Sequence, residues 1–250
     1  TSMGYDIVRE MEIADEFHRR GKKVIFGGYQ SNFSRKYLFD HADSVVHGNP
    51  GPRQMAGILN DAAGNCLQKA YFSGIDVNFP FDYSVLEKRK IQYVPALSSV
   101  GCANDCDFCC TAAIYKGRYR LRKIEHVIAD LLAINKFSDK AGFVDNNIYN
   151  NKTYLMMLLK EMLKNDIKLQ WGAQSTINIG DDIEALYYLN LAGCRVLFIG
   201  MESVNQKNLD EVNKRFHAEE YKRKIKNIHD AGIKVAAYFM YGFENDNRQT

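Results

Sequence analysis

The chain has no apolar run near the roughly 20 residues that a membrane-spanning helix needs, and no signal-peptide pattern is read in it. It also lacks a strong excess of charge, with 33 Lys and Arg against 30 Asp and Glu, a net +3 over 250 residues. That balance argues against a nucleic-acid binder or a membrane-surface protein. A disulfide framework is missing too, because three of the six cysteines crowd one loop. A reducing compartment, with the cytoplasm as the default, is therefore expected. No zinc-finger spacing occurs: the cysteine loop holds no histidine, and the nearest are His47 and His126. What remains is 46% hydrophobic and 25% charged residues. Those are globular proportions, in a chain long enough to bury a substantial core.

The most informative stretch is Gly101-Cys102-Ala103-Asn104-Asp105-Cys106-Asp107-Phe108-Cys109. Thiolates are soft ligands that suit zinc or iron–sulfur clusters. A four-iron cluster normally takes four thiolates. Three in one tight loop would leave one iron open to a ligand that is not protein. A zinc site would need a fourth ligand from outside the loop. Cys110, Cys66 and Cys194 read as packed or spare thiols.

Along the chain, an amphipathic helix is expected over 7–20, with Met11, Ala14 and Phe17 on one face and Gly21 ending it. Lys23-Val24-Ile25-Phe26-Gly27-Gly28 reads as a buried parallel strand, Ser44-Val45-Val46 as another, and 53–63 as a helix. Residues 66–92 read as a connector. From 93 onward, strand candidates at 142–145, 168–173, 195–200 and 234–241 alternate with helix candidates at 123–135, 153–165, 181–192 and 217–231. Such alternation means parallel βα units. Their strands end in polar residues (Asp145-Asn146-Asn147, Gln174-Ser175-Thr176, Glu202-Ser203), and the C-terminal ends of barrel strands are where active sites sit.

The cysteine loop, with Phe108 before its third cysteine, resembles the signature of the radical S-adenosylmethionine superfamily. The resemblance implies a 4Fe-4S cluster on Cys102, Cys106 and Cys109, with S-adenosylmethionine chelating the fourth iron. It continues in order along the chain, through Phe143-Val144-Asp145-Asn146-Asn147, Trp171-Gly172-Ala173-Gln174-Ser175, Gly200-Met201-Glu202-Ser203 and Tyr241-Gly242-Phe243-Glu244-Asn245-Asp246. By that resemblance Phe108, Asp145, Ser175 and Glu202 are the expected S-adenosylmethionine contacts. An electron donor such as flavodoxin or ferredoxin and a small-molecule or peptide substrate are the implied partners. The basic run Lys116–Lys123 reads as a solvated face or as a site for an anionic substrate or nucleic acid.

The front of the chain, Arg19 to Tyr29 and Ala42 to Gly48, resembles the C-terminal half of the cobalamin-binding domain that precedes many such enzymes. Cobalamin contacts are expected at Gly27, Gly28, Tyr29 and Gly48. Gly48-Asn49-Pro50-Gly51 departs from that family's usual Gly-Glu-x-Glu, and any lower-axial histidine motif would lie upstream. The expected fold is thus α/β: half of a doubly wound cobalamin-binding-like domain over 1–65, the connector, and a partial (βα)6 barrel over 93–250. Both ends read as cut, with the last barrel unit beyond Thr250. The expected function is reductive cleavage of S-adenosylmethionine, with cobalamin-dependent C-methylation as its specific form. The alternatives are a radical rearrangement, cyclisation or oxidation without methyl transfer, or a non-catalytic iron–sulfur or zinc scaffold. A methylthiotransferase would need three further upstream cysteines, and only Cys66 lies upstream.

Overall fold

In the computed structural model, residues 6–33, 35–89 and 91–247 are described, and they fall into two compact units that meet in sequence at Val77/Asn78. Unit 1 opens with α1 (Ile7–Arg19), followed by β1 (Ile25–Phe26), α2 (Arg35–Leu38), β2 (Ser44–Asn49), α3 (Pro52–Ala63) and β3 (Ala70–Ile75). Gly21, at φ +67°, ends α1 as its sequence predicts. Pro52 starts α3, at a helix position where its missing N–H costs nothing. The strands form a parallel sheet in the order β1-β2-β3. Its small core is Ala14, Phe26, Leu38, Ala42 and Val45, with Met11 packed against it. Phe17 stays half exposed.

Two stretches of unit 1 differ from the sequence reading. The strand expected over 23–28 is only two residues long, because Gly28 turns the chain at φ +101°. The stretch 66–92 contains β3, which pairs along β2. Ala-Tyr-Phe-Ser-Gly-Ile has no clear period of two, and Phe72 is exposed while stacking on His47 at 4.9 Å. Pairing rather than an apolar stripe makes that strand.

Unit 2 comprises α4 (Ser84–Glu87), β4 (Val94–Ala96), β5 (Ser99–Gly101), α5 (Cys110–Tyr115), β6 (Tyr119–Leu121), α6 (Ile124–Asn135), β7 (Lys140–Phe143), α7 (Lys152–Lys164), β8 (Gln170–Ser175), α8 (Ile183–Leu191), β9 (Cys194–Glu202), α9 (Gln206–Glu211), α10 (Tyr221–Asp230) and β10 (Lys234–Phe239). The five-stranded sheet runs β10-β9-β8-β7-β4, parallel throughout. This is a partial barrel, with β4, β7, β8, β9 and β10 in sequence order around it.

Alternation decides which side chains face where. On one face Ala141, Phe143, Trp171, Ala173, Leu197 and Ile199 are buried, in one core with Leu131, Leu158, Leu159, Leu186 and Ile228 from the helices. Each such Leu or Ile contributes about 1.5–3 kcal/mol on leaving water. Trp171 packs edge-on against Phe143 and donates its indole N–H to the Ala192 carbonyl at 2.7 Å. The other face carries Gly142, Val144, Gln174, Phe198, Gly200 and Tyr238, and Val144 and Tyr238 stay 57% and 53% exposed. Strands buried on both faces were expected. The barrel is partial, so its inner face stays open toward the rim.

Candidate functional site

The five strands of the parallel sheet of unit 2 share one direction, so their C-terminal ends lie at one rim. There a pocket of about 190 Å³ is lined by Cys102, Cys106 and Cys109, by Phe108, and by residues from the ends of β7 to β10. The wall consists of Asn146 and Asn147 after β7, Gln174, Ser175 and Thr176 at β8, Phe198, Gly200 and Glu202 on β9, Tyr238 on β10, and Lys214. The three cysteines predicted as ligands are thus brought together with Phe108, Ser175 and Glu202.

Local geometry explains how the loop presents its thiols. Gly101, at φ +88°, turns out of β5, and the Arg118 carbonyl fills the space a Cβ would take. The Cys109 N–H closes a turn on the Cys106 carbonyl at 3.0 Å, and Cys109 then caps α5. Polar side chains after β7 hold the backbone. Asn146 accepts from the Gly101 N–H at 3.0 Å and donates to the Thr111 hydroxyl at 3.1 Å. Asn150 accepts from the Ala103 N–H at 3.0 Å and donates to the Gly101 carbonyl at 3.1 Å. From the far side, Arg215 holds the Asp105 carboxylate at 2.9 Å.

Asp145 is not on the pocket wall. It is fully buried behind it, accepting from the Ser98 N–H at 2.9 Å and from the Ser98 and Ser99 hydroxyls at 2.6 and 2.7 Å. Burial raises its pKa against the pull of those hydrogen bonds. Its place is to anchor the β4–β5 turn that leads into the cysteine loop, while its neighbours Asn146 and Asn147 face the pocket.

Lys214 was not foreseen from the sequence. Its ammonium lies 2.9 Å from the Glu202 carboxylate, donates to the Gly200 carbonyl at 3.3 Å, and sits 5.5 Å from the centres of the Phe108 and Phe216 rings. Glu202 is held at φ +63°, and its carboxylate lies where a side chain at position 200 would be. The glycine of the Gly-x-Glu-Ser element therefore makes room for its own glutamate. Burial pushes the Cys102 and Cys106 thiols up, and the Lys214 ammonium pulls both the other way.

Among the described residues no three His, Cys, Asp or Glu side chains converge tightly enough to hold a single ion. The three thiols line one pocket together. Thiolates are the donors that iron–sulfur clusters take, so the three cysteines fit one, while the Glu202 carboxylate on the same wall is paired with Lys214. Cys66 and Cys110 are exposed, and burial pushes the Cys194 thiol up to about 12.

In unit 1, Gly27 and Gly28 form the turn after β1, where the hydroxyl of Ser31, fully buried, lies within hydrogen-bond distance of the Gly28 and Val46 carbonyls, at 2.7 and 2.8 Å, and its one proton is open to either. Tyr29 leads the short turn that follows. Gly48, at φ +82°, abuts the Ser73 backbone. Close packing of β2 on β3 thus already requires a glycine there. All four residues lie at the C-terminal ends of the parallel strands, the edge where open α/β sheets bind ligands. No helix among the described residues is long and apolar enough to cross a membrane.

The sequence profile of the Radical SAM superfamily matches residues 97–250. The chain is 26% identical to bacteriochlorophyllide d C-12(1)-methyltransferase of Chlorobaculum tepidum, over 99% of this chain and 59% of that protein. Among solved structures it is similar to the radical S-adenosylmethionine methyltransferase TsrM from Kitasatospora setae, with TM-score 0.78 and 15% identity over 98% of this chain and 55% of that one. The cobalamin-dependent S-adenosylmethionine radical enzyme OxsB, solved with aqua-cobalamin bound, gives TM-score 0.75 and 16% identity over 96% and 41%. At such identities these two structures share the fold. The chain spans about 59% of the length of the methyltransferase it matches.

Proposed function

The chain belongs to the Radical SAM superfamily, and from that premise we propose that it is the catalytic part of an enzyme that cleaves S-adenosylmethionine reductively at a 4Fe-4S cluster. The observation that carries this reading is the meeting of three thiols at the C-terminal rim of a parallel partial barrel. Cys102, Cys106 and Cys109 would hold the cluster. Phe108, Ser175 and Glu202 would line the space for S-adenosylmethionine, with Asn146, Asn147 and Gln174 as polar walls. The chemistry supplied when both are bound is one-electron cleavage of the sulfonium to methionine and a 5′-deoxyadenosyl radical, which takes hydrogen from an unactivated carbon.

The protein's own part is holding and shielding. Asn146 and Asn150 fix the loop backbone, and Phe108, Phe198 and Tyr238 supply apolar walls. Lys214 adds a cation that favours the thiolate state. The proposed reductant is an external one-electron carrier protein, and the substrate is a small molecule or peptide.

Cobalamin-dependent C-methylation is the specific form we favour. Its support is the likeness to the methyltransferases above and the parallel three-stranded sheet of unit 1. Gly27, Gly28, Tyr29 and Gly48 are the proposed cobalamin contacts at its strand ends.

The test is anaerobic iron–sulfur reconstitution of the full-length protein, followed by dithionite and S-adenosylmethionine, with 5′-deoxyadenosine read by mass spectrometry. The nucleoside should form with the native protein and vanish in Cys106→Ala. Iron-loaded protein that never releases it would refute the reading. A methyl group from labelled S-adenosylmethionine found on cobalamin would support the methyl-transfer form.

A further inference from the structure

The run Lys116–Lys123 contains five cations and no Asp or Glu, and the fold separates them into two roles. Arg122 turns inward, pairing with Asp130 at 2.6 Å and donating to the Leu97 and Phe79 carbonyls. Lys116, Arg118, Arg120 and Lys123 are exposed. Among the described residues, some exposed cations elsewhere, such as Arg19, Arg20, Arg223 and Lys226, hold carboxylates, and others, such as Lys22, Arg53 and Lys222, hold none. Among those residues Lys116, Arg118, Arg120 and Lys123 hold none either, and they are set apart by lying within one run that carries no Asp or Glu.

This stretch is built onto the cysteine loop. β6 lies antiparallel to β5 with Tyr119 opposite Gly101, one residue before Cys102. A Cβ on Gly117 would rest 3.8 Å from the Ala103 carbonyl, inside the loop. The turn is preformed: Lys116 at φ +50° and Gly117 at φ +70° follow α5, with Lys116 N–H on the Ala112 carbonyl at 2.7 Å and Arg118 N–H on the Tyr115 carbonyl at 3.0 Å. A chain with a net charge of only +3 therefore sets four uncompensated cations beside the loop that would receive an electron.

We propose that Lys116, Arg118, Arg120 and Lys123 form the docking face for an acidic one-electron carrier protein that reduces the cluster; this rests on the reading of the site given above. In the encounter one electron leaves the carrier, which is oxidised, and enters the cluster, which is reduced. No bond forms or breaks and no proton moves in that step. Electron-carrier encounters use small, weak interfaces, where complementary charge sets the encounter rate more than affinity. A preformed basic turn suits that use.

The experiment compares the full-length, cluster-loaded protein with a Lys116→Glu/Arg118→Glu/Arg120→Glu variant, using a purified acidic flavodoxin as probe. Two quantities are read at low and high salt: flavodoxin binding by calorimetry, and the rate at which reduced flavodoxin bleaches the cluster's visible absorbance. Dithionite bleaching serves as the control. The expected result is a drop of about tenfold or more in both binding and flavodoxin-driven bleaching in the variant. High salt should produce a similar drop in the native protein, while dithionite bleaches both proteins equally. Equal flavodoxin rates in the two proteins would overturn the docking face while leaving the cluster reading intact. A native protein that takes up no iron would overturn that reading and this one with it. Salt-sensitive oligonucleotide binding lost in the variant, with flavodoxin binding unchanged, would assign the face to nucleic acid and overturn the proposal.

Discussion

Lys214 and Glu202 face each other with side chains only 11% and 9% exposed. Neutralising one such partner leaves the other charge buried and unpaired, at a cost of about 3–5 kcal/mol. Lys214→Met is therefore expected to destabilise strongly in chemical denaturation, and Lys214→Met/Glu202→Gln to regain most of the loss. Additive losses would show that the pair is not coupled. Asn150→Ala removes two hydrogen bonds from the cysteine-loop backbone. It should lower iron retention after anaerobic gel filtration while leaving global stability within about 1–3 kcal/mol of native. The cysteine triplet was legible because its ligands are close in sequence. Lys214 and Asn150 were not, since each meets the loop only through the fold. Asp145 was legible as a polar strand end. Its burial under Ser98 and Ser99 depends on a turn 46 and 47 residues away, which no local pattern reveals.

Elements with a strong apolar period were read close to their true bounds: α6, α7, α8 and β9 each differ from expectation by a few residues at most. Their period is set by one shared core, and Leu158→Ala in α7, at a 1% exposed position, should cost about 2–5 kcal/mol in thermal or denaturant melting. β3, β5 and β6 were missed for a common reason. They are held by pairing partners rather than by an apolar period; β5 and β6 are also only three residues long, and the cations of β6 hide a strand inside a basic run. In unit 1, Asp43 ties α1 to β2. Burial alone would raise its pKa, but the Val24 N–H, His18 and Lys23 hold it below the usual carboxylate value. Its stabilisation is thus present above the ordinary carboxylate pKa and lost as pH falls through the lowered one. Asp43→Asn should weaken the pH dependence of unit 1 stability on the acid side. An unchanged acid profile would show that Asp43 contributes little.

At the scale of the whole molecule, the two units differ in how much apolar surface each buries. Unit 1 rests on Ala14, Phe26, Leu38, Ala42 and Val45, whereas unit 2 draws on buried side chains from its sheet and helices throughout. Amide exchange should therefore be faster in β1 and β2 than in β8 and β9. Equal protection would mean that the units open together. The division of labour follows the sequence: a parallel three-stranded sheet ahead of a partial barrel whose open inner face and polar strand ends meet at the cysteine loop. The proposed chemistry depends most on that loop holding one cluster through three thiolates. Mössbauer spectroscopy of anaerobically reconstituted full-length protein, before and after adding S-adenosylmethionine and beside Cys106→Ala, tests this most directly. The prediction is about four irons per chain, as in a 4Fe-4S cluster, one of them distinct and shifted by S-adenosylmethionine, all lost in the variant. Bound zinc, or iron indifferent both to Cys106 and to S-adenosylmethionine, would contradict it.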